Sequence, residues 1–250
     1  MFGSEPHRRE RRTEADVRAL PPLPRPDRAT MCAEATCGCT LVLVVVAVLV
    51  ATTESVASSL RPESYLSILG RIAILTEAAV ALACLCGLMF GDPGVVKRSV
   101  STCFPMPRQV ADALEREGKV QLQHNIVEGQ HEYCTRCLLW RGTKSDGCHH
   151  CSTCQRCVRA FDHHCGVFGR CIAGNGYGGN MGYFKVLISM GGAGIFTAMT
   201  FSLASMAEHI TRGGDLILAV MTISMTVGSC CCCSCVMWAV ANPSSAPALV

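Results

Sequence analysis

Four consecutive residues, Asp162-His163-His164-Cys165, place a carboxylate, two imidazoles and a thiol side by side. They lie in the segment from His131 to Cys171, which contains eight cysteines and five histidines. Thiolates and imidazoles are the usual protein ligands of zinc, and a Cys-x2-Cys turn lets two thiolates point at one ion. Such pairs mixed with histidine are typical of zinc sites in a reducing compartment, whereas a secreted protein would use its cysteines in disulfides. The segment is therefore predicted to bind zinc.

Two structural zinc sites need eight ligands, because each ion takes four in a tetrahedron. The segment offers more candidates than that, and the spacing leaves the register open at Cys148, His149, His150 and Cys151, which are consecutive. A loop this poor in apolar residues is not expected to fold without the metal. The candidates are Cys134, Cys137, Cys148, Cys151, Cys154, Cys157, Cys165, Cys171, His131, His149, His150, His163 and His164.

Apolar segments flank this region on both sides. The chain is 50% apolar and only 16% charged, whereas a soluble domain usually has about 25% charged residues. This deficit excludes an ordinary soluble domain. A membrane-spanning helix needs roughly 20 apolar residues to cross a hydrocarbon core about 30 Å thick. Four segments meet that length and are predicted to span a membrane, at about 35–53, 72–90, 184–207 and 216–240.

The placement of lysine and arginine predicts the orientation of these spans. Of the 22 basic residues, seven precede the first span and twelve lie between Lys97 and Lys185. The loop after the first span holds Arg61, with Arg71 at the edge of the second span, and the loop after the third span holds only Arg212. Because positive residues stay in the cytosol, both termini and the cysteine-rich region are predicted to be cytosolic. The first span could instead be a signal peptide behind an internal start at Met31, although the Arg-rich segment before it argues against that.

The organisation along the chain follows from these features. Residues 1–34 are rich in arginine, glutamate and proline and are predicted to be a disordered cytosolic tail, with a Pro-rich partner site at 21–26 as an alternative. The sequence shows no internal repeat. The remaining divisions are a transmembrane hairpin at 35–90, a cytosolic linker at 91–133, a cysteine-rich zinc domain at 134–184, a second transmembrane hairpin at 185–241 and a short tail at 242–250.

The cysteine and histidine spacing, with Asp162-His163-His164-Cys165 inside it, resembles the cysteine-rich domain of the DHHC family of protein S-acyltransferases. These integral-membrane enzymes attach palmitate to cysteines. Asp92-Pro93-Gly94 and Asn180-x3-Phe184 resemble two further motifs of that family. The resemblance implies an α-helical integral membrane fold, in which four transmembrane helices carry a cytosolic double-zinc domain between helices 2 and 3.

The same resemblance assigns the zinc ligands in an interleaved way. His163 and Cys165 are left without metal inside a metal-stabilised loop, and His150 is preferred to His149 because it keeps a His-Cys pair adjacent. One structural zinc ion would be bound by Cys134, Cys137, His150 and Cys157, and the other by Cys151, Cys154, His164 and Cys171.

The resemblance also implies the chemistry. Palmitoyl-CoA would donate its acyl group to Cys165, which would pass it to a cysteine of a membrane-associated protein. Asp162 would orient His163, and His163 would deprotonate Cys165. A Cys3His zinc centre has a net negative charge and would raise the pKa of a nearby thiol, so any favourable field must come from His163 and from cations. Arg159 and Arg170 are candidate contacts for the CoA phosphates, with solvated surface arginine as the alternative.

Three departures from the family pattern stand out. The family's Pro-Trp after the reactive cysteine is replaced by Gly166-Val167, a glycine-rich insertion precedes Asn180, and the Thr-Thr-x-Glu motif expected after the fourth span is not found. A catalytically weak zinc-binding membrane adaptor is the main alternative function, and a zinc-dependent transporter or sensor is a third. A nucleic-acid-binding finger is disfavoured because the module lies between membrane spans.

The expected location is a multi-pass protein of an endomembrane, Golgi or ER, or of the plasma membrane. Its expected partners are the lipid bilayer, acyl-CoA and substrate proteins with cytosolic cysteines, and no nucleic acid. The run Cys230–Cys233, with Cys235 close by, lies near the cytosolic end of the predicted fourth span. These cysteines are either small buried helix residues or sites at which the protein is itself S-acylated.

Overall fold

The computed structural model describes residues 12–59, 65–120, 124–143 and 146–212. The chain divides into two compact units. The hairpin unit comprises the residues up to Asp27 and Gly94–Phe161, and the helical unit comprises Arg28–Pro93 and the residues from Asp162 onward. The described residues contain six α-helices, which are α1 (Glu14–Ala19), α2 (Arg28–Ser59), α3 (Tyr65–Phe90), α4 (Val100–Cys103), α5 (Arg108–Glu117) and α6 (Met181–Thr211).

Three helices of the helical unit, α2, α3 and α6, are long and apolar enough to cross a membrane, with mean hydropathies of 2.5, 2.2 and 1.6 over their most apolar stretches. The first three predicted spans fall inside them, and each helix extends beyond its span at one or both ends. Helix α6 packs against both α2 and α3. The predicted fourth span, at 216–240, lies outside the described residues, as do Cys230–Cys233 and Cys235.

The described residues also contain seven short strands, all between Ile126 and Ala173. They form one three-stranded sheet, β1-β2-β3, and two two-stranded sheets, β4-β5 and β6-β7. Strands this short have little apolar surface to bury, so hairpins of this kind need additional cross-links. The strands are β1 (Ile126–Glu128), β2 (His131–Cys134), β3 (Leu139–Thr143), β4 (His149–Cys151), β5 (Arg156–Val158), β6 (Phe161–Cys165) and β7 (Arg170–Ala173).

The turns of three successive hairpins share one backbone conformation. Each has a left-handed residue four positions after the cysteine that ends its first strand, namely Leu138 (φ 54°), Gln155 (φ 52°) and Gly169 (φ 61°). Two of these residues are not glycine, so the surrounding contacts must stabilise a conformation that L-residues seldom adopt. The hairpins therefore form a structural repeat. The sequence did not reveal it, because almost only the cysteines and their neighbours are shared.

Part of the N-terminal segment is ordered, unlike the predicted tail. Helix α1 contributes the buried Val17 to a cluster with Cys103 and Leu139. Two arginines of the hairpin unit donate to the Pro-rich stretch that follows, Arg98 to the carbonyl oxygen of Pro21 at 2.7 Å and Arg156 to that of Pro24 at 2.8 Å. The order comes from backbone carbonyls and isolated apolar side chains, which leave no periodic pattern in the sequence.

The backbone that follows Asp92-Pro93 pairs with strand β5 and the residue after it. Within the hairpin unit, the N–H of Val96 donates to the carbonyl oxygen of Cys157 at 2.8 Å, and the N–H of Arg159 donates to that of Gly94 at 3.0 Å. Val95 forms a β-bridge with Val158. The backbone after the second membrane helix therefore extends the β4-β5 sheet, which positions Cys157.

Candidate metal centres and reactive cysteine

Two groups of cysteine and histidine side chains could each hold a metal ion. The ligand atoms of each group lie within 4.8 Å of one another. The first group is Cys134, Cys137, His150 and Cys157, and the second is Cys151, Cys154, His164 and Cys171.

The first group lies wholly in the hairpin unit, and all four side chains are buried. The Nδ1 atom of His150 lies 3.6 Å from Sγ of Cys134, 3.2 Å from Sγ of Cys137 and 3.8 Å from Sγ of Cys157. Zinc–sulfur bonds of about 2.3 Å and zinc–nitrogen bonds of about 2.0 Å in a tetrahedron would separate these atoms by about 3.6 Å. The donor atoms and their spacing fit a zinc ion.

The second group contains two pairs, Cys151 with Cys154 and His164 with Cys171. In the hairpin unit, the backbone N–H of Cys154 donates to Sγ of Cys151 at 3.4 Å, as the N–H of Cys137 does to Sγ of Cys134. In the helical unit, Nδ1 of His164 lies 3.9 Å from Sγ of Cys171. N–H donors stabilise a thiolate, so the same turn prepares the first cysteine of both Cys-x2-Cys pairs for metal binding.

Three other candidate ligands stand outside both groups. The half-buried Cys148 packs against the buried cluster that contains Cys157. The exposed His149 stacks on Phe161, with ring centroids 4.9 Å apart. The exposed His131 meets Trp140 edge to face at 6.4 Å. The sequence left open which of the consecutive residues Cys148, His149 and His150 could bind metal. In the structure His150 belongs to a candidate ligand group, and Cys148 and His149 do not.

Cys165 belongs to neither group and ends strand β6 as a fully buried thiol. Nδ1 of His163 lies 2.6 Å from Oδ2 of Asp162, a charge-assisted distance. This bond assigns the Nδ1 proton to the side facing Asp162 and turns Nε2 away from it. His163 is partly buried and Asp162 is mostly exposed. Among the described residues, the buried Nε2 of His163 has no hydrogen-bond partner, and the thiol of Cys165 is near enough to affect the pKa of this imidazole.

The electrostatics around these three side chains favour transfer of the Cys165 thiol proton to His163. The contact with the Cys165 thiol raises the pKa of His163 above its usual value, and the hydrogen bond with Asp162 acts in the same direction, against burial. Burial acts to raise the pKa of Cys165, but hydrogen bonds from His163 and from the backbone N–H groups of Phe168 and Val167 outweigh it and lower the pKa. The pair is therefore biased toward a thiolate and an imidazolium.

Two phenylalanine rings and a buried asparagine pack around His163 and strand β7. The ring of Phe184 meets His163 edge to face at 5.8 Å and Phe168 at 6.4 Å. Asn180 is fully buried; its Oδ1 accepts from the N–H of Ala173 at 2.9 Å, and its Nδ2 donates to the carbonyl oxygen of Cys171 at 2.8 Å. Asn180-x3-Phe184 had been noted as a motif, but no role had been assigned to either side chain.

The two arginines considered for CoA differ in environment. Arg159 is exposed. Arg170 is half-buried, and its Nη2 donates to the carbonyl oxygen of Gly91 at 2.6 Å, directly after the end of α3. A cation at a helix C-terminus is favourable, because it meets unpaired carbonyls and the negative end of the helix dipole. Arg170 therefore has a structural contact, and Arg159 is the more available cation.

A narrow cavity lies among α2, α3 and α6 within the helical unit. It is lined mainly by aliphatic side chains such as Val42, Val46 and Leu187, together with Gly191 and Gly194. One carboxyl group, Glu77, reaches it, and Oε1 of that group accepts a hydrogen bond from Thr197 at 2.9 Å. A Cβ on Gly194 would approach Leu49 to 3.0 Å. The glycines therefore serve close packing and also leave space along the helices.

Comparison with known proteins places these features in one context. Residues 127–243 match the family described as DHHC palmitoyltransferase. The chain is 55% identical over 42 residues to palmitoyltransferase PFA3 of Debaryomyces hansenii, covering 17% of this chain and 10% of that protein. It is 34% identical over 125 residues to human palmitoyltransferase ZDHHC3, covering 50% and 34%. It is 33% identical over 97 residues to probable protein S-acyltransferase 6 of Arabidopsis thaliana, covering 34% and 22%. The chain thus spans about a third or less of the length of these relatives.

Proposed function

We propose that this chain, whose residues 127–243 match the DHHC palmitoyltransferase family, is a protein S-acyltransferase of that family. It takes a long-chain acyl group, palmitate, from acyl-CoA and transfers it through acyl-Cys165 to a cysteine of a membrane-associated protein. The observation that carries the proposal is the 2.6 Å bond between Asp162 and Nδ1 of His163, which leaves the buried Nε2 to take a proton from the fully buried Cys165 thiol.

The reaction proceeds in two balanced steps. His163 takes the Cys165 proton, the thiolate attacks the acyl carbonyl, and a bond from Sγ to carbon forms as the carbon–sulfur bond to CoA breaks. The imidazolium then protonates the departing CoA sulfur. In the second step the thiol of the substrate protein gives its proton to His163, and its sulfur attacks the acyl carbon. The bond from that carbon to Sγ of Cys165 breaks, and Cys165 takes the proton back from His163. Each step exchanges one thioester for another, so no nucleotide hydrolysis is required.

Asp162 acts by keeping the Nδ1 proton of His163 in place, so that Nε2 is the basic nitrogen. A carboxylate in this role stabilises the imidazolium that each step produces. The backbone N–H groups of Val167 and Phe168 stabilise the thiolate. None of these contributions requires a metal charge at the reacting sulfur.

We assign two structural zinc ions to the two ligand groups. One would be held by Cys134, Cys137, His150 and Cys157, and the other by Cys151, Cys154, His164 and Cys171. When bound, zinc supplies cross-links to hairpins that lack an apolar core of their own. His164 and Cys171 flank the reactive Cys165 in sequence, so the second ion would fix the backbone on both sides of the nucleophile.

The acyl chain needs an apolar site, and we propose that it lies among α2, α3 and α6, where the aliphatic lining of the cavity would have to move apart because the cavity itself is only about 30 Å³. Leu187 lines the cavity and also packs in the buried cluster that contains Cys165 and Phe168. An acyl group on Cys165 thus has a continuous apolar surface ahead of it. The CoA phosphates are assigned to cations near the nucleophile, of which Arg159 is exposed.

We further propose that both termini and the hairpin unit are cytosolic, in a four-span protein of an endomembrane or the plasma membrane. The support is the concentration of basic residues before the first span and between Lys97 and Lys185. An epitope inserted at Gly213 is expected to be protected in sealed cytosolic-side-out membranes. Labelling of that epitope without permeabilisation would overturn the topology.

Incubation of the purified full chain with a labelled acyl-CoA tests the proposed activity. We expect a base-labile labelled adduct on the wild-type protein, chased onto an added cysteine-containing acceptor, and no adduct on Cys165→Ser. Zinc content measured on both preparations shows that the variant is folded. A wild-type protein with its full zinc content but no adduct would overturn the enzyme proposal and leave the zinc-binding adaptor as the better description.

A further inference from the structure

The first turns of α2 lie against the turn that follows Cys165. A Cβ on Gly38 would overlap the carbonyl oxygen of Val167, and a Cβ on Gly169 would overlap the carbonyl oxygen of Met31. A glycine on each side of the contact therefore lets the two backbones approach more closely than side chains would allow. Both segments belong to the helical unit. We call Met31–Gly38 the α2 brace.

Glu34 is the charged side chain of the α2 brace that reaches across this contact. Its Oε2 lies 3.3 Å from Nε2 of His164, and the side chains are 24% and 15% exposed, respectively. Its Oε1 would lie 3.5 Å from a Cβ placed on Gly166. The other ring nitrogen of His164, Nδ1, faces Sγ of Cys171. The two nitrogens of this imidazole therefore face a carboxylate on one side and a ligand sulfur on the other.

We propose that Glu34 is a positioning residue for the second zinc centre. It accepts the Nε2–H of His164 and so fixes the tautomer whose Nδ1 is the metal ligand. A neutral histidine carries one ring proton, and the hydrogen bond made by one nitrogen decides which nitrogen can bind metal. Carboxylates that accept from a ligand histidine also orient the ring and raise its basicity. The inference rests on the proposed second zinc centre.

The position of Glu34 links the first membrane helix to that centre. Glu34 lies in the second turn of α2, which begins at Arg28, and His164 immediately precedes Cys165. Movement of the α2 brace would therefore change the geometry of the zinc ligand next to the nucleophile. At Gly166, where the family has proline, an added Cβ would meet the carboxylate of Glu34 at an ordinary van der Waals distance.

Zinc release from the full chain in detergent tests the proposal. Wild-type protein, Glu34→Ala and Glu34→Gln are challenged with a chelator, and the zinc released and retained is followed over time. Glu54→Ala is the matched control, because Glu54 lies on the same helix and its Oε2 pairs with Arg71 at 3.0 Å. Loss of that ion pair disturbs α2 without touching a candidate ligand.

We expect Glu34→Ala to lower the affinity for one of the two zinc ions by about 10–100-fold. This is the range found when a carboxylate that accepts a hydrogen bond from a ligand histidine is removed, about 10–100-fold in metal affinity. The other ion should be released as in the wild type. Glu34→Gln should show a smaller change, roughly 3–10-fold, because an amide oxygen accepts the same bond without charge. Glu54→Ala should release both ions as the wild type does.

The outcomes separate this inference from the assignment on which it rests. Two ions released from Glu34→Ala at wild-type rates would overturn the role of Glu34 and leave the second centre standing. A wild-type chain with one ion or none would overturn the second centre itself. If Glu34→Ala does not fold, the comparison of Glu34→Gln with Glu54→Gln decides, and identical release curves would count against the proposal.

Discussion

The hairpins β4-β5 and β6-β7 are two versions of one structure. The first strand of each ends with two histidines and a cysteine, and a left-handed residue follows four positions after that cysteine, Gln155 in one and Gly169 in the other. Each also has a further cysteine six positions after the first, Cys157 and Cys171. They differ at the third position after the first cysteine, where β4-β5 has Cys154 and β6-β7 has Phe168.

That difference would separate the proposed metal ligand Cys151 from the proposed nucleophile Cys165. With Cys154 present, Cys151 has a second thiolate beside it and the pair can share an ion. With Phe168 in that place, Cys165 keeps backbone N–H groups directed at its sulfur but has no partner thiolate in the turn. The Phe168 ring packs into the buried cluster with Phe184 instead. A turn suited to stabilising a metal thiolate thus also suits a reactive thiolate.

Substitution of the equivalent cysteines should give the largest contrast. Cys165→Ser is expected to lose the acyl-enzyme while both zinc ions and expression stay near the wild-type level. Cys151→Ser should lose zinc and unfold its hairpin, because metal binding of about 10–16 kcal/mol supplies the folding energy of such modules. Zinc analysis and labelling with acyl-CoA measure both effects. Loss of zinc from Cys165→Ser would show that the two hairpins do not differ as proposed.

The equivalent histidines provide the second contrast. His163→Ala should retain both zinc ions and slow formation of the acyl-enzyme by about 10²–10⁴-fold, the usual contribution of a general base. His149→Ala is the matched control, because His149 is exposed and stacks on Phe161 without approaching a ligand group. Single-turnover acylation rates measure the effect. Equal slowing by both substitutions would remove His163 from its proposed role.

Asn180 sharpens the comparison, because its two bonds hold the strand that carries Cys171. Asn180→Ala leaves the N–H of Ala173 and the carbonyl of Cys171 without the partner they have now. We expect a loss of about 2 kcal/mol in stability, observed as a melting temperature lower by several degrees. The exposed Asn175, mutated to Ala, is the control and should melt like the wild type. An unchanged melting temperature for Asn180→Ala would contradict this role.

The arginines should give the smallest effects. Arg159→Gln is expected to raise the KM for acyl-CoA by up to about fivefold with kcat unchanged, since an exposed charge pair is worth about 1 kcal/mol or less. High salt should abolish the difference. The exposed Arg136, mutated to Gln, is the control. Arg170→Gln should instead lower the melting temperature, because the bond to Gly91 is lost. An unchanged KM for Arg159→Gln would assign that side chain to solvent.

Ligand type and helix length were predictable from the sequence for simple physical reasons. Zinc ligands must be cysteine or histidine at short spacing, and a membrane span must be apolar over about 20 residues. The first three predicted spans consequently fall within α2, α3 and α6. The choice of His150 over His149 was harder, because adjacent histidines look alike in sequence. Strand β4 directs their side chains to opposite faces, and His150 is the buried one.

The sequence by itself determined that thiolate–metal binding beside apolar, membrane-length helices is open to this protein, and its resemblance to the DHHC family supplied the proposal of thiol acyl transfer. Only the tertiary structure decided which side chains from distant parts of the sequence support the candidate ligands and Cys165. Glu34 is 130 residues from His164, and the buried bonds of Asn180 run to backbone groups that have no sequence signature. The ordered part of the N-terminal segment likewise depends on backbone carbonyl oxygens that accept hydrogen bonds from Arg98 and Arg156, which are distant in sequence. Such contacts depend on folded geometry, because any residue's backbone can supply them and no local pattern records the partner.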